Sequence, residues 1–269
     1  MSPSRPPPDH RRMHESVWHR AEAVAWLDDP TRRGREDPET LWDRAGLAPG
    51  MTVVDVGAGT GYYDWSASDR VGAAGCVYAV DVSPELVALV RERARAQGRR
   101  NVRAVRSRPE RIPLPGRVAD RVLLANLLHG VAPATVREAV RLLRPGGWLL
   151  DVDWAHRRTP NGPPVEHRLS ATEARRALQA YGLRALTTVP HGPEHYVVIL
   201  EKPARPRSRS PGPWRSRRRA GTDRGGGRIA HRSATPPVRL SSVDRSSRRA
   251  DEEPEPRRGE RGRTARTEA

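Results

Sequence analysis

The residues best placed to bind a ligand form a glycine-rich loop that directly follows an apolar segment. Val53–Val56 is typical of a buried strand, and Gly57-Ala58-Gly59-Thr60-Gly61 follows it before a helix that starts near Tyr62. Glycines there let the backbone turn sharply and approach a ligand closely, at the carboxyl edge of the sheet where α/β folds bind ligands. Asp81 ends the next predicted strand, 20 residues after Gly61. A carboxylate in that position accepts hydrogen bonds from both hydroxyls of a ribose, so the ligand is predicted to contain a nucleoside.

The spacing of the glycines distinguishes between nucleoside-containing ligands. The dinucleotide-binding loop has the pattern G-x-G-x-x-G, and the helix that follows it binds a pyrophosphate. Here the pattern is G-x-G-x-G, and Asp55 lies two residues before its first glycine. A carboxylate beside the loop repels a pyrophosphate but favours a cationic ligand that carries an amino acid. S-adenosylmethionine has a ribose, a sulfonium and an α-ammonium, so it is the predicted ligand. A nicotinamide dinucleotide and a glycine turn without a ligand are the less favoured alternatives.

Short apolar runs alternate with helical patterns from Met51 onward, which is typical of an α/β protein with a mostly parallel sheet. The last two runs are separated only by Pro190-His191-Gly192-Pro193 and are therefore predicted to form a hairpin at one edge of the sheet. The predicted strands are Thr52–Val56, Cys76–Asp81, Val102–Val105, Arg121–Ala125, Trp148–Val152, Leu183–Val189 and Tyr196–Glu201.

Three helix starts between these strands carry capping signals, and a glycine follows the predicted end of each helix. Ser83-Pro84-Glu85 and Asp37-Pro38-Glu39 each combine an N-cap side chain, a proline at the first helical position and an acidic residue in the first turn. Ser170-Ala171-Thr172-Glu173 has the pattern of a capping box. The helices that connect the strands are therefore predicted with defined starting residues.

The composition excludes several classes of protein. The chain has 48 arginines, one lysine and no phenylalanine, which indicates a genome-wide codon bias. The single cysteine, Cys76, excludes an internal disulfide framework and a zinc site built on several thiolates, and no metal site is predicted. The longest apolar run, Val122–Leu128, is shorter than the ~20 residues of a membrane helix. Met1–Arg12 lacks the apolar centre of a secretory signal, so a soluble, cytoplasmic protein is predicted.

The two ends of the chain differ from its centre. Residues 205–269 carry 19 arginines and 8 acidic residues but only five large apolar or aromatic side chains. Such a segment buries too little surface to offset its ordering entropy, so residues 204–269 are predicted to be a disordered tail. Residues 1–12 are also predicted to be disordered, which leaves 13–203 as one domain. An arginine-rich tail can bind nucleic acid. An incidental extension is favoured, because Trp214 is its one aromatic residue for stacking.

Several segments beyond the glycine loop resemble the class I S-adenosylmethionine-dependent methyltransferase family. Tyr78–Pro84 resembles that family's ribose-binding strand end, Ile112–Pro115 its "LPF" turn, and Leu142–Leu149 its "LKPGG" turn into the fifth strand. More narrowly, Glu166–Ser170 and Tyr196–Pro203 are similar to a bacterial subgroup of the UbiE-like and arsenite-methyltransferase-like "methyltransferase domain 11" proteins. The resemblance implies a Rossmann-like, doubly wound sheet of seven mostly parallel strands that ends in an antiparallel hairpin.

The resemblance also implies roles for the candidate ligand-binding residues. Many members have an acidic residue that binds the adenine amino group, but this chain has Ser107 and Arg108 at that point. Adenine recognition there would rely on Ser107 or on the backbone. The implied cofactor-binding residues are Asp55, Gly57, Ala58, Gly59 and Gly61 for the methionine part, Asp81 for the ribose, Val82 for the adenine and Asn126 for the sulfonium end.

Methyl transfer requires little of the protein's own chemistry. It is an in-line displacement at a carbon that the sulfonium already activates, so the enzyme mainly positions the acceptor, and a base is needed only when the acceptor must lose a proton. His129, just past the fourth strand, is the candidate base, and a capping or packing role is its alternative. Asp153 and His156 are weaker candidates on the acceptor side, whereas His167 and Arg168 are predicted to be structural.

Two further elements lie near the predicted site. Glu15–Asp28 has apolar residues at helical spacing and is predicted either to cover the cofactor pocket, as in the family, or to pack on the sheet. Tyr62 and Tyr63 open a helix and are predicted to belong to the core rather than to the pocket wall.

The absence of several motifs reduces the number of possible methyl acceptors. Methyltransferases that act on the amino groups of nucleic-acid bases usually have an Asn/Asp-Pro-Pro-aromatic tetrad at the end of the fourth strand. This chain has Asn126-Leu127-Leu128-His129 at that position. Methylation of cytosine at C5 needs a nucleophilic cysteine at the site, but Cys76 lies at the start of the second strand. Arsenite methylation needs several cysteines, and this chain has one. The predicted function is methyl transfer to a small organic acceptor. An RNA- or ribosome-associated methyltransferase that uses the basic tail, and a non-catalytic cofactor-binding protein, are the alternatives; the sequence does not determine the oligomeric state.

Overall fold

The structure of the protein, a computed structural model, describes residues 21–204. The predicted disorder of residues 1–12 and 204–269 lies, apart from Ala204, outside the described residues, and the domain bounds 13–203 stay a prediction. Within residues 21–204 no helix has the length and apolar character needed to cross a membrane. The cytoplasmic location stays a prediction of the sequence.

A single sheet of seven strands forms the centre of the domain, in the order β3-β2-β1-β4-β5-β7-β6. β1 to β5 run parallel, and β7 pairs antiparallel with both β5 and β6. This confirms the predicted doubly wound sheet with a terminal hairpin. The strands are β1 Thr52–Val56, β2 Cys76–Asp81, β3 Val102–Arg106, β4 Ala119–Ala125, β5 Leu143–Trp154, β6 Arg184–His191 and β7 His195–Glu201.

Helices cover both faces of the sheet. Apolar residues of α2, α3 and α4 pack on one face, where Trp42 is fully buried, and those of α5 and α6 pack on the other, where Leu178 is fully buried. Burial of the two faces excludes water from a sheet whose strands are apolar on both sides. The helices are α1 Ala21–Leu27, α2 Pro38–Arg44, α3 Asp64–Val71, α4 Pro84–Ala96, α5 Pro133–Leu142 and α6 Ala171–Gln179, with short 3₁₀ turns at Pro30–Gly34 and Val165–His167.

The predicted helix starts are confirmed by their caps. The Asp37 carboxylate accepts a hydrogen bond from Thr40 N at 3.0 Å, and the Ser83 hydroxyl accepts one from Leu86 N at 3.2 Å. Ser170 and Glu173 form both hydrogen bonds of the capping box. Each cap satisfies backbone donors that a helix start leaves without a partner, which explains why these local signals predict the helices well.

β5 is longer than the predicted Trp148–Val152. It begins at Leu143, and the register moves from Leu143 opposite Ala119 to Trp148 opposite Arg121, so residues 144–147 form a bulge. Two backbone bonds hold this bulge: Gly146 N donates to Lys202 O at 2.7 Å, and Lys202 N donates to Gly147 O at 2.9 Å. Gly146 and Gly147 predicted a turn. The backbone hydrogen bonds with Lys202, which is remote in sequence, instead make this segment part of β5.

The hairpin between β6 and β7 is tighter than predicted, because Pro190 and His191 belong to β6. Gly192 has φ +68°, and a Cβ there would overlap the Arg35 carbonyl oxygen. We expect Gly192→Ala to lower the free energy of unfolding by about 2–5 kcal/mol, since it adds left-handed strain to overpacking. Gly182→Ala, at φ +81° in open space, is the control and should cost about 1–2 kcal/mol. Urea unfolding measures both, and equal losses would contradict the role of the Arg35 contact.

Candidate active site

A cavity of about 840 Å³ opens at the carboxyl edge of the sheet, beside the ends of β1, β2 and β4. Its size is within the range of small-molecule sites. Gly61 is not among the residues that line it. The predicted site residues that do line it are Asp55, Gly57, Ala58, Gly59, Asp81, Val82, Asn126 and His129.

The glycine loop lies close to its neighbours and has a left-handed backbone. Gly57 N and Ala58 N both donate to Val80 O, at 2.8 and 3.0 Å, which joins the loop to β2. Gly57 has φ +77°, and a Cβ there would lie 3.1 Å from a Leu127 methyl group. Gly61 has φ +84°, and a Cβ there would lie 2.8 Å from the Trp65 ring. A side chain at Gly57 would therefore crowd Leu127, whereas Gly61 turns the chain into α3.

Asp81 lies at the end of β2 with its carboxylate fixed by two backbone donors. Gly59 N donates to Oδ2 and Ser83 N donates to Oδ1, each at 2.9 Å. Each carboxylate oxygen accepts more than one hydrogen bond, so this anchoring is compatible with two ligand hydroxyls. Ser107 and Arg108, where the chain departs from the family pattern, line the same cavity.

Two buried carboxyl groups lie under the glycine loop. Burial raises the pKa of Asp55 to about 7, against the opposing charge of Arg32. Burial and the neighbouring Asp55 hold the pKa of Asp64 well above its usual range. Because the charged forms are desolvated, the pair retains protons near neutral pH, and a cation at Asp55 would displace one of them.

His129 forms a pair with Asp153. Its Nδ1 lies 2.8 Å from Asp153 Oδ1 and 3.0 Å from Oδ2, and its backbone N donates to Oδ2 at 3.2 Å. Trp154 N also donates to Oδ1 at 2.8 Å, so the carboxylate is held on several sides. Burial lowers the pKa of His129, but the hydrogen bond and charge of Asp153 outweigh it and raise that pKa. A proton on Nδ1, facing Asp153, places the basic lone pair on Nε2, which is the arrangement of a general base.

The other candidates lie in different surroundings. His156 is exposed and does not line the cavity. Arg168 lines it, but its guanidinium donates to the backbone oxygens of Pro163, Ala155 and Asn161, which agrees with a structural role. Trp26, at the end of α1, also lines the cavity, so α1 covers one side of it.

A buried polar network beside the cavity has no counterpart in the sequence analysis. Glu36 accepts hydrogen bonds from Arg32 Nε at 2.6 Å, Tyr63 OH at 2.8 Å and Asn126 Nδ2 at 2.9 Å. Burial raises the pKa of Glu36, but Arg32 outweighs it and lowers that pKa to about 2. Tyr62 OH also donates to the Glu36 backbone oxygen at 2.9 Å. Tyr62 and Tyr63 both line the cavity, so they belong to the cavity wall as well as to the hydrophobic core.

The fold and the cavity define the class of doubly wound α/β proteins that bind ligands at the carboxyl edge of the sheet, and comparison with known proteins defines the family. A family model described as "Methyltransferase domain" matches residues 53–147. The crystal structure of a SAM-dependent methyltransferase from Aquifex aeolicus is 33% identical, with a TM-score of 0.65, and the match covers 67% of this chain and 97% of that one. The chain belongs to the class I S-adenosylmethionine-dependent methyltransferases, whose cofactor is the one predicted.

Curated relatives match over shorter stretches. The ubiquinone/menaquinone biosynthesis C-methyltransferase UbiE of Shewanella woodyi is 33% identical over 123 residues, 43% of this chain and 49% of that protein. The arsenite methyltransferase of Halobacterium salinarum is 33% identical over 106 residues, 38% of this chain and 27% of that protein. The chain thus spans about half the length of the UbiE relative and a smaller part of the arsenite enzyme.

Proposed function

We propose that the protein transfers a methyl group from S-adenosylmethionine to a small organic acceptor. The observation that carries this proposal is one cavity lined by both the glycine loop with Asp81 and the His129 ring that Asp153 holds. When bound, the cofactor supplies a methyl group activated by a sulfonium. The relatives differ in their acceptors: UbiE is a C-methyltransferase of ubiquinone/menaquinone biosynthesis, and the other relative methylates arsenite. The single cysteine of this chain favours an organic acceptor.

The residues present fit the cofactor. Two backbone donors hold the Asp81 carboxylate, which would accept from the ribose hydroxyls, and Asp55 would favour the amino-acid end. Gly57 and Gly59 have the positive φ that lets the loop turn beside the cavity. Val82 lines the cavity and would pack on the adenine, as predicted. Asn126 would face the sulfonium end.

His129 then acts on the acceptor. The acceptor's nucleophilic atom bonds to the methyl carbon as the carbon–sulfur bond breaks, and the acceptor's proton passes to Nε2 of His129. Asp153 stabilises the imidazolium that results. A positioned base of this kind contributes typically ~10²–10⁴-fold to a rate.

The test is binding followed by turnover with the full chain. We expect calorimetry to show binding of S-adenosylmethionine and S-adenosylhomocysteine but not of NAD⁺. A screen of phenols, amines and activated carbon acids with methyl-labelled cofactor should then identify an acceptor. Failure of the folded wild type to bind either sulfur compound would contradict the proposal. Binding without transfer to any class would favour the non-catalytic alternative.

Cofactor binding should release protons in mildly acidic solution. Because burial raises the pKa of Asp55 to about 7, this carboxyl is mostly protonated at about pH 6, and a cationic ligand favours its charged form. We expect proton release at about pH 6 and none at about pH 9. Calorimetry in buffers of different ionisation enthalpy measures it. Asp55→Asn should abolish the release, and a persisting release would assign it to another group.

A further inference from the structure

The hydrogen bonds of Glu36 determine which way the Asn126 amide faces. With its low pKa, Glu36 is a carboxylate and only accepts hydrogen bonds, so Asn126 presents its NH₂ group to it. The amide oxygen, Oδ1, therefore lies on the other side of the group. It is buried and accepts no hydrogen bond within residues 21–204.

Asn126 lies at the point of the fold where a ligand is held. It follows β4 directly, lines the cavity and has φ +54°, a conformation that asparagine tolerates better than most residues. Its backbone N donates to Val152 O at 2.7 Å, which fixes it against β5. Because β4 pairs with β1, the amide stands beside the glycine loop.

We propose that Glu36 is a positioning residue that holds the Asn126 amide oxygen toward the sulfonium of S-adenosylmethionine. This inference rests on the proposed function. An amide oxygen carries partial negative charge and attracts the sulfonium and its polarised methyl group, whereas the amide NH₂ repels them. A neutral glutamine in place of Glu36 would allow either orientation of the amide, since its own amide both donates and accepts.

The test compares two ligands that differ by the methyl group and its charge. In Glu36→Gln, we expect the affinity for S-adenosylmethionine to fall about tenfold relative to that for S-adenosylhomocysteine, the size of one hydrogen bond to a charged group. Calorimetry with the full chain measures both. Glu194→Gln is the matched control, because Glu194 is also buried and accepts from an asparagine, Asn161 Nδ2 at 3.1 Å, but does not line the cavity. Its affinity ratio should equal that of the wild type.

A second variant keeps the test valid where Glu36→Gln does not fold. Asn126→Gly retains the left-handed backbone at little cost, removes the amide and leaves Glu36 paired with Arg32 and Tyr63. We expect the same fall in the affinity ratio, with no further fall in the double variant. An equal loss of affinity for both ligands, or none, would overturn this inference alone. Absence of binding by the wild type would overturn the proposed function with it.

A second feature, unrelated to Glu36 and Asn126, is the uneven distribution of charge along residues 21–204. Residues 91–117 contain 10 arginines and 2 acidic residues, whereas the other 157 described residues contain 16 basic and 20 acidic ones. A genome-wide preference for arginine acts on both sets, so it does not explain this segregation. The segment runs from α4 through β3, the edge strand that pairs only with β2.

The exposed arginines Arg95, Arg100, Arg106 and Arg108 form what we call the basic edge. Among residues 21–204, Arg95, Arg100 and Arg106 have no side-chain hydrogen bond or ion pair, and Arg108 lines the cavity. β3 spans about 16 Å, enough for two or three phosphates of an extended strand.

We infer that the basic edge binds the phosphate backbone of single-stranded RNA. Its charge is complementary to phosphodiesters, and guanidinium groups bind phosphate well. A membrane surface fits less well, because Leu186 on β6 is the one exposed large apolar side chain within the described part of the chain.

The test uses the full chain, so that residues 205–269 are the same in every sample. We expect Arg95→Glu/Arg100→Glu/Arg106→Glu to weaken binding of a uridine oligonucleotide and to reduce its salt slope by about 2. Arg137→Glu/Arg158→Glu/Arg176→Glu, three exposed arginines elsewhere, should change both much less. Equal effects of the two triple variants would overturn the assignment. The assignment would also be overturned if the basic-edge triple variant lost binding to phosphatidylserine vesicles but kept its binding to RNA.

Discussion

His129→Ala is expected to lower kcat by ~10²–10⁴-fold toward an acceptor that must lose a proton. Binding of S-adenosylhomocysteine should stay unchanged, since the ring acts on the acceptor rather than on the cofactor. His156→Ala provides the control, because His156 is exposed and lies away from the cavity. A fall in kcat of less than about threefold would show that His129 packs rather than reacts.

The dependence of this rate on pH follows from Asp153. Asp153 raises the pKa of His129, and a base works in its neutral form, so kcat should rise with pH and level off above that raised pKa. Asp153→Asn removes the charge and should move the midpoint to lower pH while reducing the plateau. An unchanged midpoint in Asp153→Asn would mean that another group is the base.

Asp81→Ala should weaken S-adenosylmethionine binding by about two to four orders of magnitude, because two hydrogen bonds to a charged group contribute about 1.5–3 kcal/mol each. Unlike His129→Ala, it acts on the cofactor and should weaken S-adenosylhomocysteine binding equally, since both ligands carry the ribose. Calorimetry on the full chain measures both affinities.

A second aspartate separates this effect from general damage. Asp120 accepts from Thr52 N at 2.8 Å at the opposite end of the sheet, so Asp120→Ala also removes a carboxylate bonded to backbone. It should reduce stability without changing affinity. Equal affinity of Asp81→Ala and wild type for both ligands would place the ribose elsewhere.

The features that sequence predicts well are those that depend on adjacent residues. β1 and β2 have the predicted bounds, and the caps at Asp37, Ser83 and Ser170 start helices as predicted. In each case the signal and the structure it specifies lie within a few residues, where propensity and capping chemistry act.

The features that sequence misses depend on pairs that are distant in the chain. Arg32 and Glu36 lie in a polar segment without a motif, and the contact of Glu36 with Asn126 spans 90 residues. The pairing of His129 with Asp153 is a nearer case, because His129 follows β4 and Asp153 lies near the end of β5, the parallel neighbour of β4. Strand order could have brought those two together, but no local pattern identifies a buried arginine–glutamate pair.

The position of β7 has a consequence for synthesis on the ribosome. β7 is the last strand in the described chain, yet it lies between β5 and β6 and pairs with both. While residues 195–201 are still untranslated, β5 has an unpaired edge and β6 has no partner in the sheet. Unpaired strand edges of this kind attract other chains. The nascent protein therefore depends on rapid synthesis of its final strand, or on a chaperone that covers these edges until that strand has emerged.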